Sequence, residues 1–179
     1  NKFIIQGLYM IKPQIFRDNR GYFFESFNEN KYKKILGKLR FVQDDHSFSN
    51  KGVLRGIHFQ YKRPQAQLYY LASGKIFLVL VDFRPSSSTF LKHISLVLDS
   101  KLRHQIYAAP GIGSGFYAID NNIHLIYKIS KVYKDSGNEI GIRWDDPILN
   151  IKWPCKRPTL SDKDKYVISY KIDTLKLIN

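Results

Sequence analysis

Residues 67–83 read QLYYLASGKIFLVLVDF. Two runs rich in Leu, Val, Ile, Tyr and Phe flank Ser73-Gly74. β-branched and aromatic side chains suit a pleated, half-buried surface and Ser-Gly suits a turn, so the stretch predicts two strands with a reversal between them. Working outward, the same unit recurs. FLKHISLVL, RHQIYAAP, GFYAID and IHLIYKISKVY follow it; VLRGIHFQ, LRFVQDDHSFS, YFFESF and KFIIQGLYMIKPQIF precede it, the last broken by Gly7 and Pro13. Clusters of Gly, Pro, Ser, Asn and Asp separate these runs about every ten residues, which predicts an all-β antiparallel sandwich or barrel. There is no βαβ alternation and no internal repeat. NKYKKILGKLR (30–40) reads as a short amphipathic helix with solvated lysines. The tail from Arg157 is expected to form a terminal helix or a loop laid over the barrel mouth.

The 179 residues suffice for one core and predict a single domain over 1–179. A content of 44% hydrophobic and 15% aromatic residues excludes a disordered chain. No run approaches the roughly 18 apolar residues of a membrane span, and no basic–apolar–small leader pattern opens the sequence. The single cysteine, Cys155 in WPCKRP, cannot make an internal disulfide or a Cys-based zinc site and is expected to be inert. A cytoplasmic protein is expected. The net charge of +14 asks for an anionic partner. Lys and Arg do not concentrate in one block, so a small phosphate or diphosphate ester held by a few arginines fits better than nucleic acid, with the remaining charge serving solubility.

Arg55 and His58 interrupt the apolar run VLRGIHFQ (53–60). Such residues are costly in a sheet interior, so they either face water on an edge strand or line a concave site. Strict alternation puts them on opposite faces, and Gly56 between them is a candidate bulge that changes this. In IHLIYKISKVY, period two puts Leu125, Tyr127, Ile129, Lys131 and Tyr133 on one face. A lone His or Tyr in a strand is more often a packing residue. Together in a barrel mouth they make an acid–base pair, because imidazole accepts a proton near neutral pH and a phenol can give one. A metal is not expected: His58 has no His-x-His partner, and His46, His93, His104 and His124 show no ligand spacing.

The chain resembles the dTDP-4-dehydrorhamnose 3,5-epimerase family over nearly its whole length. The resemblance rests on FRDNRGYFFESFN (16–28), FVQDDHS (41–47), VLRGIHFQ (53–60), VDFRPSSSTF (81–90), LIYK (125–128), GIRWDDPILNIKWP (141–154) and PTLSDKD (158–164), in that order. It implies a cupin-type β-jelly roll with a few short helices, a homodimer exchanging N-terminal strands, and no metal or organic cofactor. The implied substrate is a nucleotide-diphosphate 4-keto sugar, and the implied pathway makes a deoxysugar for a surface polysaccharide or a glycosylated metabolite. Hydrogens beside a ketone are removable because the anion delocalises onto the carbonyl oxygen. His58 matches the family's base, Asp164 the carboxylate that orients it, and Tyr127 the acid on the opposite face; a His–Asp pair of this kind also drives hydrolytic triads. For binding, the resemblance assigns Arg20 and Glu25 to nucleotide or sugar, Gln43 and Asp44 to ligand contacts, Arg55 to the phosphates and Tyr133 to the nucleotide. Glu139 (across a one-residue gap) and Lys163 match further ligand positions.

Of the departures, Gln67 and Ser114 are the two that the resemblance places around the sugar. Asp45 stands where the family has Asn, Gln67 where it has Lys, Ser114 where it has His, and Leu78 replaces an acidic residue. Gln67 and Ser114 donate only neutral hydrogen bonds, and losing one donor to a developing oxyanion costs about 2.7–4 kcal/mol. Lys62 or Arg63 is the nearest replacement charge in sequence. Three readings follow: an active epimerase with altered substrate or regiochemistry, such as C3 only; a full 3,5-epimerase with a compensated site; or a nucleotide-sugar binder without catalysis. Retention of His58, Asp164 and Tyr127 together speaks against the last.

Overall fold

The computed structural model describes residues 3–133 and 139–167. In chain order its elements are β1 (Leu8–Ile11), β2 (Ile15–Asp18), β3 (Gly21–Phe24), helix α1 (Glu29–Leu36), β4 (Gln43–Ser49), β5 (Leu54–Gln60), β6 (Gln67–Ser73), β7 (Lys75–Asp82), β8 (His93–Asp99), β9 (Gln105–Ala108), β10 (Ile112–Ala118), β11 (Ile123–Ile129), β12 (Glu139–Gly141) and the single turn α2 (Asp162–Lys165). One five-stranded antiparallel sheet has the order β1-β9-β6-β11-β4, the other β12-β5-β10-β7-β8, and β2–β3 forms a separate hairpin. This is the all-β jelly-roll architecture expected. Ser73-Gly74 does not close a hairpin. It passes the chain from one sheet to the other, with Gly74 at φ +76, where a Cβ would lie 2.4 Å from Ile123 Cδ1.

The inward positions of the strands make the core. Leu71, Ile106, Ile123 and Leu125 of the first sheet pack against Ile76, Leu78, Leu80 and Phe116 of the second. Each such burial is worth about 1.5–3 kcal/mol. Both outer faces are covered as well. Tyr32 of α1 packs over Leu68 and Tyr107, while Ile142, Leu149 and Ile151 pack over Ile57, Phe59, Val79 and Val81. The α1 helix is shorter than its lysine-rich stretch. Asn28 caps its start, accepting from Lys31 N at 3.1 Å, and Gly37 ends it at φ +74, leaving Lys38 and Arg40 outside.

The segment after β12 returns beside β5. Leu54 N donates to Thr159 O at 3.0 Å and Thr159 N to Gly52 O at 2.8 Å, a short parallel bridge at the head of β5. α2 follows directly and stands at the barrel mouth, where the tail was expected; residues 168–179 of that tail lie outside the described residues. No helix among the described residues is long and apolar enough to cross a membrane.

Candidate active site

Gly56 breaks the alternation of β5. Opposite β10, Arg55 pairs with Phe116 and His58 with Ser114, so three steps along β5 match two along β10. The extra residue is a β-bulge, and it turns Arg55 and His58 to the same inner face. Gly56 has φ +100, and a Cβ there would lie 2.6 Å from Ser114 O. Only glycine satisfies both demands. Arg55, which stays exposed, and half-buried His58 thus line one cavity of about 300 Å³ at one end of the barrel.

His58 Nε2 lies 2.6 Å from Asp164 Oδ1. A carboxylate only accepts, so the Nε2 proton is committed to Asp164 and Nδ1 keeps its lone pair for the cavity. Nδ1 lies 3.7 Å from Glu139 Oε1, beyond hydrogen-bond reach. Asp164 is 6% exposed. The motif SDKD makes a reciprocal cap: Ser161 Oγ donates to Asp164 Oδ2 at 2.9 Å and accepts from Asp164 N at 3.1 Å. Burial alone would raise the Asp164 carboxyl; the His58 hydrogen bond and charge, with Ser161 and the Gly56 amide, outweigh it and hold the group below the usual carboxylate range.

Tyr127 comes from β11 in the opposite sheet and lines the same cavity. Burial first, then the Asp45 and Glu139 carboxylates, pushes its phenol up to about 12 against the pull of Arg55. It therefore stays protonated and available as a donor. The expected strand through Tyr133 stops at Ile129, where Ser130 bonds instead to Ala66. Tyr133 still reaches the cavity. Gln43 Oε1 holds its amide at 3.1 Å, and its hydroxyl donates to Glu139 Oε2 at 3.3 Å.

Asp45, Gln67, Ser114, Glu139 and Lys163 complete the expected residues at the cavity. Lys163 Nζ pairs with Glu139; burial pulls the ammonium down, but Glu139 outweighs it and holds it above its ordinary value. Gln43 stands behind the wall, its Nε2 donating to Asp45 Oδ1 at 2.9 Å. Asp44 does not reach the cavity: period two turns it to the outer face, where it pairs with Lys128 Nζ at 2.8 Å. Arg20 and Glu25 do not reach it either. They sit at and after the β2–β3 hairpin, Arg20 paired with Asp18 at 2.6 Å and Glu25 with Lys31 at 2.9 Å. Lys62 and Arg63 are exposed and do not line the cavity. Leu78 lies in the inter-sheet core. Cys155 is half-buried in a different pocket beside Trp144, and burial pushes its thiol up. Sequence reading passed over Tyr69, although its spacing of two from Gln67 on one strand places both on the same face.

The dTDP-4-dehydrorhamnose 3,5-epimerase family profile matches residues 2–171. The Shigella flexneri dTDP-4-dehydrorhamnose 3,5-epimerase is 40% identical over 162 residues, 89% of each chain. The Legionella pneumophila dTDP-6-deoxy-D-glucose-3,5-epimerase, solved with dTDP-4-keto-L-rhamnose, superposes with a TM-score of 0.89 at 36% identity over 99% of this chain and 92% of that one. A 3'-monoepimerase from Streptomyces bikiniensis, solved with dTDP-quinovose, superposes with a TM-score of 0.87 at 29% identity over 93% and 85%. A bulge that aims a His at a cavity, a capped carboxylate behind that His and a buried Tyr on the facing sheet thus occur in a chain that belongs to the dTDP-4-dehydrorhamnose 3,5-epimerase family.

Proposed function

We propose that the protein is an isomerase that epimerises a dTDP-linked 4-keto-6-deoxy sugar in deoxysugar biosynthesis. The observation that carries this reading is the placement of His58 and Tyr127 on facing sheets of one cavity, with Asp164 fixing the imidazole. His58 Nδ1 takes the proton from C3. The electron pair moves onto the C4 oxygen as an enolate, and Asp164 balances the charge gained by the imidazole. Tyr127 Oη then gives its proton to C3 from the other face, the carbonyl re-forms with inverted configuration, and solvent resets both side chains. Each transfer contributes about 10²–10⁴ in rate. The same pair acts at C5 if the sugar turns within the site. Arg55 and Lys163 at the mouth suit the diphosphate, Arg55 as a bidentate donor, and Tyr133 offers a ring to the base.

Arg20 and Glu25 are assigned to a second copy's site. The β2–β3 hairpin shares no ladder with either sheet, packing through Phe24 on Tyr70 and through Tyr22 on Arg103, while β1 pairs with β9 of its own chain, so this hairpin is the arm a homodimer would exchange. Residues 1–179 act as one epimerase domain, and a lone cysteine with a nucleotide-linked substrate supports a cytoplasmic location. A non-catalytic binder is not favoured, since it has no use for the capped Asp164 behind His58.

The test is proton NMR with dTDP-4-keto-6-deoxyglucose in deuterated water. Loss of the C3 signal is expected. Loss at C5 as well makes the protein a 3,5-epimerase; loss at C3 alone makes it a 3-epimerase. Retention of both signals overturns the proposal.

A further inference from the structure

The inner end of the cavity is closed by a hydrogen bond between the two sheets. Tyr127 and Tyr69 are cross-strand partners on β11 and β6. His58 and Ser114 are cross-strand partners on β5 and β10. Tyr69 Oη lies 2.7 Å from Ser114 Oγ, so the hydroxyl pair spans from the strand beside the acid to the strand beside the base. Gln67 Oε1 accepts from the same phenol. Tyr69 is 3% exposed, and its ring lies 5.9 Å from that of Tyr127. Phe116 and Leu125 flank this end of the cavity, so its polar groups sit against apolar core.

The geometry points to Tyr69 as a further catalytic residue, whose hydroxyl, with that of Ser114, receives the 4-keto oxygen of the substrate and donates to it as it becomes an enolate. The inference rests on the epimerase reading above. A base and an acid on opposite faces of the sugar leave the carbonyl oxygen in the plane between them, and the hydroxyl pair lies between those two strands. The proton needed is already present. Rotation about the phenol C–O bond moves it from Gln67 Oε1 to the substrate oxygen, exchanging one acceptor for another. Hydrogen bonds strengthen as the acceptor gains charge, so the donation is worth more to the enolate than to the ketone. Burial pushes the phenol well above its ordinary value, so the donor stays protonated. No cation is required at this end of the site.

The experiment compares deuterium wash-in at C3 of dTDP-4-keto-6-deoxyglucose for wild type, Tyr69→Phe, Ser114→Ala and, as a control on the opposite face of the same strand, Tyr70→Phe. Melting temperature and dTDP affinity are measured on each. Tyr69→Phe is expected to lower the exchange kcat by about 10²–10³, with dTDP affinity and fold retained, and Ser114→Ala to lower it less. Tyr70→Phe is expected to exchange as wild type. A Tyr69→Phe protein that exchanges at the wild-type rate, or that loses rate only in step with folded fraction or dTDP binding, overturns the role of Tyr69 alone. A wild-type protein that exchanges nothing overturns the epimerase reading and this inference with it.

Discussion

His58 has Asp164 on one ring nitrogen and the cavity on the other, and this division makes the roles of the site separable. His58→Ala is expected to lower exchange at C3 by about 10²–10⁴, read by deuterium incorporation. Tyr127→Phe is expected to behave differently: His58 still removes the proton and can return a deuteron to the same face, so wash-in continues while inverted product disappears. Because the Tyr127 phenol is pushed up to about 12, turnover that depends on its proton should persist through roughly pH 10 and fail only above it. Asp82, away from the cavity, carries a different pH dependence. Burial opposes its ionisation, but Arg84, Ser87 and Thr89 outweigh this and bring the carboxyl to about 2 from 3.8. A folded value below the unfolded one stabilises the fold above about pH 4 and loses that contribution as pH falls through 2, about 2 kcal/mol in all. Asp82→Asn should remove this acid-side slope from denaturant-unfolding free energies measured against pH.

At the scale of elements, the strands were legible and their sheet membership was not. Composition and turn spacing locate β5 to β11, because half-buried strands need alternating apolar side chains. Nothing local in QLYYLASGKIFLVLVDF says that β6 and β7 pair with other strands and not with each other; that follows from which sheet each buries its face against. The bulge was legible as a candidate through Gly56, but its register depends on β10. Period two failed beyond Ile129, where Ser130 leaves the ladder. It would have turned Asp44 away from the cavity had it been applied to QDD, and it does pair Tyr69 with Gln67. Gly56→Ala tests the bulge: strain at positive φ of about 1–3 kcal/mol, together with the contact to Ser114 O, should lower the melting temperature and abolish exchange. Ser161→Ala tests the cap. It should cost about 0.5–2 kcal/mol in denaturant unfolding and lower kcat, because Asp164 loses the Ser161 hydrogen bonds that hold it behind His58.

The whole molecule joins two sheets, a covering segment and a short helix around the cavity, and the chain as a whole carries a net charge of +14. Attraction of a diphosphate is screened by salt, so kcat/KM should fall as ionic strength rises while kcat stays constant. Gel filtration with light scattering tests the exchanged hairpin: a dimer is expected, and Arg20→Ala should raise KM without dissociating it. The partnership of His58 with Asp164 spans 106 positions of sequence. Closing so long a loop is among the last steps available to a folding chain. Strand signal in circular dichroism should therefore recover before activity during refolding, and simultaneous recovery would show that the pair forms early. A chain still on the ribosome can pair β5 with β10 and yet hold an imidazole with no carboxylate behind it. On the proposed mechanism its chemistry begins only when α2 has emerged and bridged back to β5.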